Sequence, residues 1–145
     1  VVFAPMICRS PDVEFVGEIG EREKARFLGD ALALVFPIDW PEPFGLVMIE
    51  AMACGTPILA FACGSVPEVI DDGVTGAIVG SIEEAVVALP RALALDRAAI
   101  RATFERRFSA ERMARDYVAL YRDLVDADRP RALVRRFAER APLSM

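Results

Sequence analysis

Two carboxylates eight residues apart frame the most chemically suggestive stretch of this chain. The stretch reads PEPFGLVMIEAMACGTP, Pro41 to Pro57, and holds Glu42 and Glu50. From Leu46 to Cys54 every residue is apolar except Glu50. A carboxylate buried without partners is costly, so Glu50 in such a run asks for one. Pro41 and Pro43 stiffen the loop ahead of the run, and Gly45 allows close backbone approach. A helix starting near Leu46 then offers unpaired N–H groups and the positive end of its dipole, which suits phosphate. Glu50 lies about one turn into that helix, and helical side chains tilt toward the N-terminus. Its carboxylate can therefore lie beside an anion held at Leu46. Like charges repel, so its natural ligands are vicinal hydroxyls, such as those of a ribose. Glu42 is placed to address another polyol or a developing positive charge. A sugar nucleotide has this order: hexose, diphosphate, ribose. The plainer alternative is that Glu50 marks the solvent side of a half-exposed helix and Glu42 is an ordinary loop charge. Spacing alone does not choose between the two.

The elements that must position these residues alternate between strand and helix patterns. Val13 to Val16 (VEFV) reads as a short strand ended by Gly17. Glu21 to Asp30 reads as a helix with Ala25, Phe27 and Leu28 inward. Leu32 to Pro37 is a continuous apolar run, as expected of a strand buried on both faces. The helix over Leu46 to Cys54 is stopped by Gly55 as a cap, with Pro57 behind it. Ile58 to Ala62 is the next buried strand. Ser65 and Glu68 match a capping box for a short helix that ends near Asp72-Gly73. Gly76 to Val79 is a last strand. Beyond it the pattern is helical, over Ser81 to Ala94, Asp96 to Arg107 and Ala110 to Ala127, with Ser109 to Arg112 capping the last. Met113, Tyr117, Leu120, Tyr121 and Leu124 share one stripe there, expected to pack in a core. Solid apolar strands alternating with helices predict a parallel sheet in a doubly wound α/β layer. With about four strands in view, the sheet reads as part of a larger one whose first strand–helix units lie elsewhere.

Composition narrows the function classes. The chain has 145 residues, enough for one domain with a real core, and is 54% hydrophobic and 27% charged, as soluble globular domains are. No apolar run reaches the roughly 18–20 residues of a membrane span. Cys8, Cys54 and Cys63 are odd in number, sparse and set in apolar segments, the pattern of reduced, buried thiols, which predicts a cytoplasmic protein. The chain has no histidine, so imidazole acid–base chemistry is excluded within it, and no zinc site is expected. A net charge of −5 argues against nucleic acid as a partner. The charge is uneven: from Asp128 onward five arginines face two acids, a balance of +3 that leaves −8 for the rest. That tail is either a solvated amphipathic helix or a segment that docks on something acidic, a partner domain or an anionic membrane surface. The chain starts at Val1 with no signal-peptide pattern, and reads as a piece of a longer one. The expected division is a nucleotide-sugar-binding domain over 1–127 and a basic helical tail over 128–145.

These residues together resemble a known family. EPFGLVMIE, Glu42 to Glu50, resembles the Glu-x7-Glu motif of retaining glycosyltransferases of family 4. The flanking segments VEFVGEIGEREKARFLGDALALVFPIDW and AMACGTPILAFACGSVPEVIDDGVTGAIV continue the likeness, which covers roughly Val13 to Tyr121. The family has the GT-B architecture of two Rossmann-like domains facing across a cleft. The resemblance implies an α/β chain that is part of the C-terminal, donor-binding domain, with a Rossmann-like parallel sheet, flanking helices and a helical C-terminal segment. It implies a nucleotide-diphosphate sugar as donor, an acceptor-binding N-terminal domain as partner, and no metal or other cofactor. It places Glu42 by the donor sugar, where it supports an oxocarbenium-like transition state, and Glu50 on the ribose hydroxyls. Backbone N–H groups of Phe44, Gly45, Leu46 and Val47 would contact sugar and phosphate, and the loop Gly17 to Ile19 would lie near the base. The family's diphosphate-binding Arg and Lys lie upstream of this chain, so the chain alone is expected to be an inactive half-site. Its exposed sheet edge makes self-association a risk. The rival readings are a nucleotide-sugar epimerase of the same architecture, a non-catalytic nucleotide- or sugar-binding module, and a free-standing flavodoxin-like domain.

Overall fold

The computed structural model describes residues 10–138, and side chains within 10–127. Cys8 and the side chains of the arginine-rich tail lie outside that range. Nine elements follow in order: α1 (Glu21–Asp30), β1 (Leu34–Phe36), α2 (Leu46–Ala53), β2 (Ile58–Phe61), α3 (Val66–Val69), β3 (Gly76–Val79), α4 (Ile82–Leu93), α5 (Arg97–Phe108) and α6 (Ala110–Ala138). The class is α/β, as expected. The three strands form a parallel sheet in the order β1-β2-β3, with Leu34 beside Ile58 and Ile58 beside Gly76.

The alternation of side chains along β2 sets the layers. Ile58 and Ala60 point to one face, into a core with Met48, Ala51, Met52, Val66, Val69 and Ile100. Leu59 points to the other, into a second core with Ala77, Val79, Ala88 and Ala92. Helices α2 and α5 therefore cover one face of the sheet and α4 the other. Gly76 is required by the β2–β3 pairing itself, since a Cβ there would overlap the Ile58 carbonyl.

Helix α2 ends as its sequence demands. Gly55 takes φ 69°, its N–H donates to Met52 O, and Thr56 N–H donates to Ala51 O. This is a Schellman closure, which glycine alone enters without strain. Helix α5 caps the carboxyl ends of three earlier helices, α1, α2 and α3. The guanidinium of Arg97 donates to Gly29 O and Ala31 O at the end of α1, at 2.7 and 2.9 Å, and Arg101 donates to Ala53 O at the end of α2. Arg107 donates to Glu68 O and Val69 O at the end of α3. Each arginine satisfies carbonyls that a helix leaves unpaired at its last turn.

Several expectations are corrected. Val13 to Val16 is irregular and exposed. A strand exists by pairing, and among the described residues no neighbour pairs with this one. On α1 only Leu28 is buried, while Ala25 and Phe27 face outward, because α1 meets α2 along a single edge. Val35 of β1 is 57% exposed rather than buried on both faces. It opens onto an apolar groove of about 240 Å³ that runs between the sheet and α4 past Pro37, Phe61, Ile82, Val86 and Leu89. Ser65 does not form a capping box. Its backbone is already helical (φ −75°, ψ −8°), so its carbonyl takes the Glu68 N–H and its Oγ is left buried without a partner. Cys54 and Cys63 are half-buried. The stripe Met113, Tyr117, Leu120, Tyr121 and Leu124 is not core: all five are more than half exposed. Helix α6 packs on α5 and leaves the stripe exposed. The Ser109 cap is formed, with Arg112 N–H on its Oγ at 3.3 Å. Among the described residues no helix is long and apolar enough to cross a membrane.

Candidate functional site

The loop from Pro37 to Gly45 leaves the carboxyl end of β1, and the loop from Ala62 to Ser65 leaves that of β2. Carboxyl ends of parallel strands are where such sheets hold ligands. The two loops lock together at Glu42. Ser65 N–H donates to Glu42 O at 2.9 Å. Gly64, at φ 55°, lies so close that a Cβ there would sit 2.5 Å from both the N and the O of Glu42. The position of Glu42 is thus set by backbone from a different strand.

The side chain of Glu42 turns toward the start of α2. Its Oε1 accepts the Gly45 N–H at 3.1 Å. Gly45 takes φ 71°, which carries the chain into the helix in a conformation that glycine tolerates. No side chain caps α2, and Met48 N–H is the first to bond back, to Gly45 O. The N–H groups of Leu46 and Val47 are therefore those the helix start has to offer an anion. Phe44 and Leu46 expose their side chains (43% and 64%), Gly45 is buried, and Val47 is partly buried. Trp40 is exposed in the same loop.

Glu50 has a partner that the sequence did not indicate. Its Oε1 accepts from Lys24 Nζ of α1 at 2.9 Å, and the same Nζ donates to Glu21 Oε1 at 2.6 Å. The side chains of Lys24 and Glu50 are 28% and 34% exposed, that of Glu21 87%. Hydrogen bonds to Glu21 and then Glu50 hold the Lys24 ammonium above its ordinary pKa of 10.5. Glu50 is thus a half-exposed, paired carboxylate and not a lone buried one. Gly17 is exposed at φ 73°, and Ile19 is partly buried just ahead of α1. Among the described residues no hydrogen bond joins either to the 42–50 segment. Lys24, on the helix that follows that loop, reaches Glu50. The structure thus brings Glu42 and Gly45 into contact, keeps Phe44, Leu46 and Val47 beside them by chain continuity, and ties Glu50 back to α1. The contribution of Gly64 had a faint signal, a glycine directly after a strand; Lys24, 26 residues from Glu50, had none.

Comparison with known proteins agrees with the resemblance. A family model described as glycosyl transferases group 1 matches residues 10–106. A D-inositol 3-phosphate glycosyltransferase of Mycolicibacterium gilvum (strain PYR-GCK) is 41% identical over a region covering 51% of this chain and 20% of that protein. Proteins of the same name from Mycobacterium leprae (strain Br4923) and Streptomyces coelicolor are 38% and 45% identical, over 63% and 46% of this chain and 27% and 14% of theirs. The chain thus spans about a quarter or less of the length of these relatives.

Proposed function

The chain belongs to the glycosyl transferases group 1 family, and on that premise we propose that it carries the donor half-site of a glycosyltransferase using a nucleotide-diphosphate sugar. The observation that carries the proposal is the start of α2: free N–H groups at Leu46 and Val47, with Glu42 bonded to Gly45 just before them and Glu50 one turn after. In this reading the diphosphate lies against those N–H groups, which stabilise the charge it gains as the glycosidic bond breaks. Glu50 accepts hydrogen bonds from the ribose hydroxyls. Glu42, with one oxygen fixed by Gly45, presents its carboxylate to the positive charge that develops on the sugar ring. Transfer with retained anomeric configuration is part of the proposal, as are a donor domain over 1–127 and a basic tail over 128–145. The names of the relatives favour glycosyl transfer over epimerisation.

The test is a nucleotide titration read by two-dimensional NMR. Uridine, guanosine and adenosine diphosphates and their sugars are added to the chain and to Glu50→Ala. Shifts concentrated at Gly45 to Glu50 for one base, and lost in the variant, are the expected result. Shifts elsewhere, or shifts indifferent to Glu50→Ala, refute the placement.

A further inference from the structure

We propose that Lys24 is a positioning residue for Glu50, holding its carboxylate in one orientation so that it can accept hydroxyl hydrogen bonds from a ribose. This rests on the reading of Glu50 as the ribose carboxylate.

The geometry is specific. Lys24 lies one turn before Leu28, on the same face of α1. Leu28 is 5% exposed against the body of the protein, and Thr56 Oγ1 donates to its carbonyl at 2.7 Å. Arg97 fixes the carbonyls of Gly29 and Ala31 just beyond. With the end of α1 pinned at these points, the turn carrying Lys24 is set down beside α2, where Nζ reaches Glu50 Oε1 at 2.9 Å. The bond occupies one carboxylate oxygen. A carboxylate has about four acceptor positions in all, so Oε2 keeps capacity for two neighbouring hydroxyls. A glutamate side chain without such a tie samples several rotamers and must be ordered each time a ligand binds. Glu21 completes the arrangement: its carboxylate offsets the ammonium charge from the far side, so Lys24 sits between two anions. The competing possibility is a tie that merely staples α1 to α2 and does nothing for a ligand.

The experiment separates the two by reading ribose recognition and not binding alone. The diphosphates of uridine, guanosine and adenosine are titrated against the chain beside their 2′,3′-dideoxy counterparts, and the ratio of the two affinities is taken for the base that binds. In Lys24→Met the ratio is expected to fall about tenfold, the worth of one charge-assisted hydrogen bond, with the dideoxy affinity unchanged. Lys24→Arg keeps charge and donor and is expected to keep most of the ratio. It is the variant to rely on if Lys24→Met does not fold. A Lys24→Met chain that is less stable but keeps its full ratio has lost only a staple, and the proposal is overturned; so is it if Lys24→Arg is as damaged as Lys24→Met. If Glu50→Ala keeps the ratio, the ribose reading itself fails and takes this inference with it. If none of the three diphosphates binds, the donor-site reading fails as a whole.

Discussion

Replacing Gly64 by alanine tests the claim that Glu42 is positioned from another strand. Two costs apply before any ligand is present. Gly64 has φ 55°, and an L side chain in the left-handed region costs about 1–2 kcal/mol. The new Cβ would stand 2.5 Å from the N and O of Glu42 and 2.9 Å from Pro41 C, all backbone atoms that cannot swing aside. Relief means parting the two loops, an overpacking cost of about 1–3 kcal/mol. It also strains the Ser65 N–H bond to Glu42 O, which is worth about 1 kcal/mol. The sum is about 3–6 kcal/mol, a large part of the roughly 5–15 kcal/mol that holds a domain together. Gly73 is the control. Its φ of 77° imposes the same backbone penalty, yet nothing lies within 4 Å of a Cβ placed there. Gly73→Ala should therefore cost only about 1–2 kcal/mol. Urea denaturation of both variants measures the difference, and the amide resonances of Glu42 and Ser65 should move in Gly64→Ala alone. Equal destabilisation by the two substitutions would sink the argument, because it would leave nothing for the close approach to explain.

Two further outcomes follow from the ion pairs and caps. Arg107→Met removes donors to Glu68 O, Val69 O and Asp71. With the Asp71 pair discounted for its exposure, a loss of about 2 kcal/mol is expected from the two carbonyls left unpaired; a change under about 0.5 kcal/mol in urea denaturation would show that α3 does not depend on this cap. The Lys24 tie should fail at alkaline and not at acid pH. Its folded pKa is raised above 10.5, so its contribution is complete below that value and disappears as pH rises through the folded one. The stability gap between the natural chain and Lys24→Met should stay level from neutral pH to about 10 and close above it. A gap that widens with rising pH contradicts the assignment.

What could be read from the sequence were the features that local chemistry determines. The run from Leu46 to Cys54 with Gly55 and Pro57 behind it fixes a helix and its end, because a left-handed residue is needed there and glycine supplies it. The strands at Ile58 and Gly76 show as solid apolar runs because both faces of the sheet are covered at that point. What could not be read depends on partners distant in the chain. Val13 to Val16 has strand composition, but pairing makes a strand. The periodicity of α6 identifies an apolar stripe without saying what meets it. Ser65 and Glu68 have the spacing of a capping box, but Ser65 already has a helical backbone and its carbonyl takes the Glu68 N–H, so the box cannot close. The pattern around Glu50 asked for a partner, and the partner proved to be Lys24 on a helix that only tertiary packing brings alongside.

The arginines of α5 bear on how this molecule moves. Residues 97, 101 and 107 grip the tail ends of α1, α2 and α3 in turn, and two of those helices carry Lys24 and Glu50. Helices sharing one anchor do not drift independently, since shifting one drags or breaks the grip on it. Rearrangement at the loop side is thus confined to tilting of the three as a unit about α5, or to adjustments within the loops themselves. The spacing between Lys24 and Glu50 then survives such a tilt, and any closure over a ligand would arrive with that pair already formed.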